Sequence, residues 1–193
     1  MALGTWFLNR RRKYDANAGI LTNQISFAVG DSILPVQQNS HADFFLTKDK
    51  SLLYSGSLGD YSVLLGGNWR FELIVDSSTG LCVKIQCFLD ELNVICTALE
   101  LPQYQIKNVY VTSDEPLSPS CGCHYYPFED NVFWDAQKHI LCIGNPNSVG
   151  EAVEFTPKTV AVIKNGKLFC VYLILDSLMG DPVFKGLGLS QQI

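Results

Sequence analysis

Apolar side chains recur at every second position in two runs joined by a turn, and this alternation constrains the fold more than any other feature. The runs are 69–76 and 81–89, and a period of two is typical of strands that bury one face on a sheet. Ser77–Gly80 lie between the runs, and Gly80 is free to adopt a positive φ. The sequence therefore predicts a β-hairpin over 69–89.

A second hairpin is predicted over 159–175, where Asn165-Gly166 suits a two-residue type I′ turn. Apolar residues fill both faces of the flanking runs, which indicates a position near the centre of a sheet. This register leaves Lys164 and Lys167 exposed beside the turn. The residues expected to share one face are Phe169, Val171 and Leu173.

Shorter β-like runs occupy much of the remaining chain, at 19–29, 42–47, 61–67, 93–101, 104–111, 139–145 and 152–156. Pro102 suits a turn between two of them, and no sustained helical period is present. The sequence predicts one domain, 1–193, that is all-β (or β-rich α+β): an antiparallel sandwich or partly open barrel built from hairpins, with little helix. Residues 30–60 and 112–138 are expected to be irregular, and 177–193 to form a Gly-rich C-terminal tail.

Two segments share an apolar run, an aspartate, four turn residues and an apolar strand. The aspartates are Asp76 and Asp135. This echo suggests an internal duplication of about 56–110 and 120–175. Hairpins in general use the same pattern, because aspartate starts turns by bonding to its own backbone.

The charge of the chain is unevenly distributed. Four of its 14 basic residues are Arg10, Arg11, Arg12 and Lys13, and the remaining ten basic and 19 acidic residues give the rest a net charge of −9. The basic segment suits either contact with phosphate or packing beside the acidic body of the protein. That acidic body argues against general nucleic-acid binding.

Seven cysteines, an odd number, lie mostly inside strand-like runs, where a free thiol acts as a small apolar group. The first apolar run precedes the basic residues, the reverse of an export signal, and no apolar run reaches the length of a membrane span. We therefore expect a small acidic protein of the reducing cytoplasm, of a kind common in bacteria.

Cys121, Cys123 and His124 form the segment with the most chemical potential. Cys121 and Cys123 could form a four-ligand zinc set with His139 and Cys142, but neither C-x-C nor H-x2-C is a usual ligand spacing. A catalytic thiol would pair with a histidine distant in sequence, such as His139 or His41. The simplest interpretation of this segment is a turn. No metal or cofactor is expected.

Phosphate-binding glycine loops and the common hydrolase and kinase motifs are absent from the sequence. The leading hypothesis is a non-enzymatic protein-binding module, a class that includes antagonists of toxins. Aromatic anchors are typical of such interfaces, and the candidate binding residues are Tyr125, Tyr126, Phe128 and Trp134. The alternatives are an enzyme or metal protein centred on Cys121, Cys123, His124 and His139, and a barrel that holds a small apolar ligand.

Overall fold

A computed structural model describes 25–30, 43–55, 59–66, 70–90, 92–114, 116–117 and 123–179, and the single positions 181, 184 and 187. Strands make up 56% of these residues. Helical structure among them is limited to a 3₁₀ turn, Asp176–Leu178, and to position 184. None of the described helical structure is long and apolar enough to cross a bilayer. The prediction of an all-β chain with little helix is confirmed.

The first sheet contains six strands. In chain order they are β2 (Phe44–Leu46), β3 (Ser51–Tyr54), β4 (Tyr61–Leu65), β5 (Phe71–Val75), β6 (Cys82–Phe88) and β10 (His124–Tyr126). Their spatial order is β10-β4-β5-β6-β3-β2. All neighbours are antiparallel except β10, which pairs in parallel with β4.

The second sheet contains seven strands. In chain order they are β7 (Val94–Cys96), β8 (Gln105–Ile106), β11 (Val132–Asp135), β12 (Ile140–Gly144), β13 (Glu151–Thr156), β14 (Thr159–Lys164) and β15 (Lys167–Ile174). Their spatial order is β7-β11-β12-β15-β14-β13-β8. The two outermost strands, β7 and β8, each pair in parallel with their neighbour, and the inner pairs are antiparallel.

A two-stranded ribbon completes the described β-structure. It consists of β1 (Ile25–Gly30) and β9 (Asn108–Ser113), which are antiparallel. β1 contacts β15, and β9 contacts both β6 and β13, so the ribbon bridges the two larger sheets. The described strands form a sandwich and not a closed barrel.

One large apolar cluster fills the space between the sheets, and its largest fully buried side chains include Trp134, Phe71 and Phe155. A second cluster covers the opposite face of the seven-stranded sheet. Successive residues of β12 and β14 face the two clusters in turn. Leu141, for example, faces the first cluster and Cys142 faces the second. This sheet is apolar on both faces, as the unbroken apolar runs of its inner strands predict.

Both predicted hairpins are confirmed. β5 and β6 are antiparallel, and Gly80 has a φ of 76° in the turn that joins them. β14 and β15 pair with Lys164 opposite Lys167, and both lysines are exposed. Asn165 and Gly166 have φ values of 51° and 72°, and positive φ at both turn positions is what a type I′ turn requires. The hairpin lies near the centre of the seven-stranded sheet.

The predicted face of β15 is wrong at one position. Val171 and Leu173 do face the main core, but the residue that joins them there is Leu168 and not Phe169. The register shifts between Val162, opposite Cys170, and Ile163, opposite Leu168, so Phe169 is the extra residue of a β-bulge. A bulge breaks the strict alternation on which the sequence prediction depended.

The segments expected to be irregular contain strands. β2 and β3 lie within 30–60, and β9 ends and β10 and β11 lie within 112–138. Conversely, the run at 93–101 is a strand only over β7, and the run at 104–111 divides into β8 and β9, which belong to different sheets.

Asp76 and Asp135 occupy equivalent places in two hairpin turns. The Oδ1 atom of Asp76 accepts the N–H groups of the second and third residues after it, and Oδ1 of Asp135 does the same. Four residues after each aspartate the backbone has a positive φ, 76° at Gly80 and 57° at His139. Shared turn chemistry therefore accounts for the echo in the sequence, and the duplication itself stays a prediction.

The start of the predicted C-terminal tail packs on the core. Leu178 and Phe184 are buried, and the ring of Phe184 meets Trp134 edge-on at 5.6 Å between centroids. The remaining positions of 177–193, apart from 177–179, 181 and 187, lie outside the described residues.

Candidate functional site

His124 is fully buried at the start of β10. Its Nδ1 atom lies 2.5 Å from the hydroxyl of Tyr61 on β4, and its Nε2 atom lies 3.4 Å from the hydroxyl of Ser113 at the end of β9. A neutral imidazole has one donor and one acceptor nitrogen, so two hydroxyl neighbours satisfy both. This network joins β10, β4 and the ribbon strand β9.

The order serine, histidine, tyrosine is reminiscent of a nucleophile, its base and an orienting group. In hydrolases the orienting group is a carboxylate, which stabilises the imidazolium formed during the reaction. A tyrosine hydroxyl supplies no such charge. Complete burial of the ring also keeps it from solvent. The arrangement suits a hydrogen-bonded anchor for the edge strand β10 better than a catalytic base.

The other cysteine and histidine candidates do not assemble with His124 among the described residues. Cys123 is buried immediately before β10, whereas Cys121 lies outside the described residues. His139 occupies a turn position with positive φ. Cys142 is buried on the outer face of the seven-stranded sheet, where the Cys170 thiol and burial raise its pKa. No group of three potential metal ligands is present in the described part of the chain.

The four aromatic candidates do not form one exposed patch. Trp134 is fully buried against Phe184, and Tyr126 is only 6% exposed, with its hydroxyl accepting the backbone N–H of Leu168. Tyr125 and Phe128 are partly exposed. A binding role for this group stays a prediction, and the ring surface that solvent reaches belongs mainly to Tyr125 and Phe128. The basic residues Arg10–Lys13 lie outside the described residues.

More apolar surface than these four aromatic residues offer is exposed in a stretch that the sequence did not predict to bind a partner. This stretch runs from β7 through residues 97–104, here termed the crossing segment, to β8. β7 and β8 are the opposite edges of the seven-stranded sheet, six inter-strand intervals apart. At about 4.8 Å per interval this is roughly 29 Å, which the connecting residues cover only when nearly extended.

The crossing segment is held against the outer face of the sheet at Leu99. That side chain is 2% exposed and packs on the second apolar cluster. Its backbone N–H donates to Oδ2 of Asp135 at 2.9 Å, and its carbonyl accepts Nζ of Lys138 at 2.7 Å. Anchoring at this point fixes the path of the chain toward β8.

β8 presents both backbone and side chain to its surroundings. It pairs with β13 so that Ile106 lies opposite Glu154, and the N–H of Lys107 donates to the carbonyl of Glu154. In such a ladder the backbone groups of Gln105 and Lys107 point toward β13, and those of Ile106 point away from it. The Ile106 side chain is 53% exposed, and no strand of the described residues lies on its outer side.

A cleft of about 240 Å³ adjoins this edge, lined by Ile106, Glu154, Phe155, Thr156 and Pro157. The ladder is irregular here, because the register of β13 on β14 shifts between Glu154 and Thr156. Bulges of this kind often occur beside binding sites, where they redirect side chains. The volume is below the 300–1,000 Å³ usual for drug-sized ligands, so the cleft suits a single side chain.

No protein-family model and no curated protein matches this chain.

Proposed function

We propose that the protein is a non-enzymatic protein-binding module, and that it binds its partner along the β8 edge of the seven-stranded sheet. The observation that carries the proposal is the exposed Ile106 on an edge strand whose outward backbone groups face no described strand. An edge of this kind is a template for pairing with another chain. Several classes of binding domain use it, adding an extended segment of the partner as a further strand.

The side chains beside β8 support the same surface. Tyr104 ends the crossing segment and Ile106 lies in β8, and they are 38% and 53% exposed. Tyrosine is enriched among interface anchors because it offers a large, rigid contact area with a polar tip. The cleft next to Ile106 provides a place for a partner side chain, which gives an added strand its sequence preference.

The other edge, β7, is less suited to the role. Ile95 is 48% exposed there, and Cys96 is exposed as well. The described cleft lies beside β8, at the opposite edge of the sheet. An edge strand without an adjoining cleft offers backbone pairing but no pocket for a partner side chain. Backbone pairing alone does not distinguish one partner from another.

Four buried cysteines, Cys82, Cys87, Cys142 and Cys170, carry free thiols, a state that suits the reducing cytoplasm, which we retain as the proposed compartment. A bacterial source and an antagonist role remain part of the proposal. Neither the Cys/His-centred enzyme nor the apolar-ligand barrel gains a specific observation from the described residues.

Affinity capture with paired variants tests the proposal. Proteins retained by immobilised wild-type protein are compared with those retained by Ile106→Asp, which places a charge on the outer edge. Val149→Asp is the control, because Val149 is an 80% exposed apolar residue in the loop before β13. We expect a stoichiometric partner that Ile106→Asp loses and Val149→Asp keeps. Equal retention by both variants contradicts binding at β8.

A further inference from the structure

The cleft beside β8 carries negative charge that the described residues do not balance. Glu154 lies on its wall, and Asp43 and Asp176 lie beyond the turn that follows Pro157. The one cation among them is Lys158, whose Nζ lies 3.0 Å from Asp43 and 2.8 Å from Asp176. Both aspartates are therefore paired with this ammonium group, whereas the salt bridges among the described residues include none to Glu154.

Glu154 is only partly committed to the fold. Its Oε1 atom accepts the backbone N–H of Lys158 at 2.8 Å, which supports a residue held at a φ of 65°. Its Oε2 atom accepts no hydrogen bond from the described residues. Glu151, on the same strand, differs because its Oε1 atom forms an ion pair with Nζ of Lys107 at 3.0 Å.

Apolar and aromatic surface surrounds this carboxylate. Glu154 and Ile106 are directly opposite in the ladder, so their side chains share one face of the sheet. Burial, with a smaller contribution from the Glu154 charge, raises the pKa of Tyr104, which lies two residues before Ile106. Pro157 completes the wall. A carboxylate bordered by an aliphatic side chain, a ring and a proline matches a long cationic side chain, whose apolar stem and charged head need different surroundings.

Resting on the proposed function, we propose that the partner segment added to β8 carries an arginine or lysine whose side chain enters this cleft and binds the Glu154 carboxylate. The backbone of Ile106 pairs with the segment, and the Glu154 carboxylate selects the basic side chain. Arginine fits best, because its planar guanidinium binds a carboxylate and stacks on a ring such as Tyr104. The acidic balance of the chain, a net charge of −5, favours approach of such a basic partner.

Two synthetic peptides test the side-chain preference without the natural partner. The first is an acetylated and amidated Val-Thr-Arg-Thr-Val, and the second replaces arginine with the neutral analogue citrulline. Each is titrated into ¹⁵N-labelled full-length protein while amide signals are followed. We expect the arginine peptide to shift signals of 105–107 and 154–158 and to bind about tenfold more tightly than the citrulline peptide, as loss of a charge-assisted contact implies.

Glu154→Gln supplies the matched variant. It keeps the Oε1 acceptor for the Lys158 N–H and removes only the charge, so the fold is retained. We expect the preference for arginine to disappear in Glu154→Gln and to persist in Glu151→Gln. Equal binding of the two peptides by the wild type, or an unchanged preference in Glu154→Gln, overturns the proposal.

The same spectra distinguish a basic partner from other occupants of the cleft. They also test the basic side chain separately from the proposed function. Shifts at 105–107 on raising protein concentration alone indicate a second copy of the chain at the cleft. Shifts there on replacing Arg10–Lys13 with serine indicate the chain's own basic segment. Either result overturns a basic partner. If both peptides shift 105–107 equally, the edge binds strands without charge selection, so the basic side chain fails while the proposed function stands.

Discussion

The backbone N–H of Leu99 donates to Oδ2 of the buried Asp135 carboxylate at 2.9 Å, and this bond links the crossing segment to the β11–β12 turn. The other oxygen, Oδ1, accepts the N–H groups of Gln137 and Lys138 in that turn. One side chain therefore shapes a hairpin and holds the chain that leads to β8. The position of the proposed binding edge depends on it.

Asp135→Asn is expected to lower the free energy of unfolding by about 1–3 kcal/mol, the usual cost of leaving a buried polar group without its partner. The asparagine oxygen can still accept the turn N–H groups, but its NH2 then faces the Leu99 N–H, also a donor. Urea denaturation measures the loss, and faster hydrogen exchange at the Leu99 amide locates it. Asp114→Asn, at an exposed position, is the control. An unchanged Leu99 exchange rate argues against this link.

Stability should also depend on pH through Asp135. Burial raises the pKa of this carboxyl, but the N–H groups of Leu99, Lys138 and Gln137 outweigh it, and the net pKa is lowered. The carboxylate therefore stabilises the fold above its unfolded pKa, about 3.9, and the contribution is lost as pH falls through the lower folded pKa. Unfolding free energies of wild type and Asp135→Asn should converge as pH falls below about 4. A constant difference down to the folded pKa would contradict this assignment.

Gly166→Val is expected to destabilise the protein by about 1–3 kcal/mol. The φ of 72° strains a β-branched residue, and an added Cβ would lie 3.3 Å from the Cβ of Ser26 on the ribbon. Since this hairpin lies near the centre of its sheet, the loss should appear in global unfolding. Asn165→Gly is the control, because glycine accepts the positive φ. If Gly166→Val leaves the urea midpoint unchanged, the turn does not have the type I′ geometry.

His139 offers a test that separates turn geometry from metal or catalytic chemistry. Its φ of 57° is tolerated by asparagine but not by β-branched residues. His139→Asn should change the unfolding free energy by less than about 0.5 kcal/mol, and His139→Val should lower it by about 1–2 kcal/mol. Thermal unfolding of the two variants gives the comparison. Equal losses would mean that the imidazole itself, and not the backbone conformation, matters at this position.

The sequence predicts what depends on neighbouring residues. The alternation of apolar residues predicted β5 and β6, and Asn165-Gly166 predicted the register of β14 and β15. Both patterns are local in the sequence. The Phe169 bulge was missed, since one extra residue in a strand leaves no mark on composition. The parallel edge strands were also missed, because such pairs join residues distant in sequence.

In the candidate site, too, the sequence predicted only what depends on local pattern and residue type. His124 and Trp134 drew attention by residue type, but burial determines what they can contact, and both are fully buried. Ile106 and Glu154 belong to ordinary strand-like runs, and only their pairing across β8 and β13 brings them to one cleft. The available signal was weak: Tyr104 and Ile106 alternate with the polar residues Gln105 and Lys107, and Asn108 then breaks the alternation.

Site-specific photocrosslinking tests binding at the β8 edge most directly. A benzoyl-phenylalanine is placed at position 106, at position 104 or, as the exposed apolar control, at position 149, and each protein is irradiated in the cells that produce it naturally. Binding at the β8 edge predicts one discrete adduct from 104 and 106, absent at 149, with an arginine or lysine within a few residues of the crosslink in the partner peptide. No adduct at 104 or 106, or the same adduct from all three positions, would contradict binding at this edge.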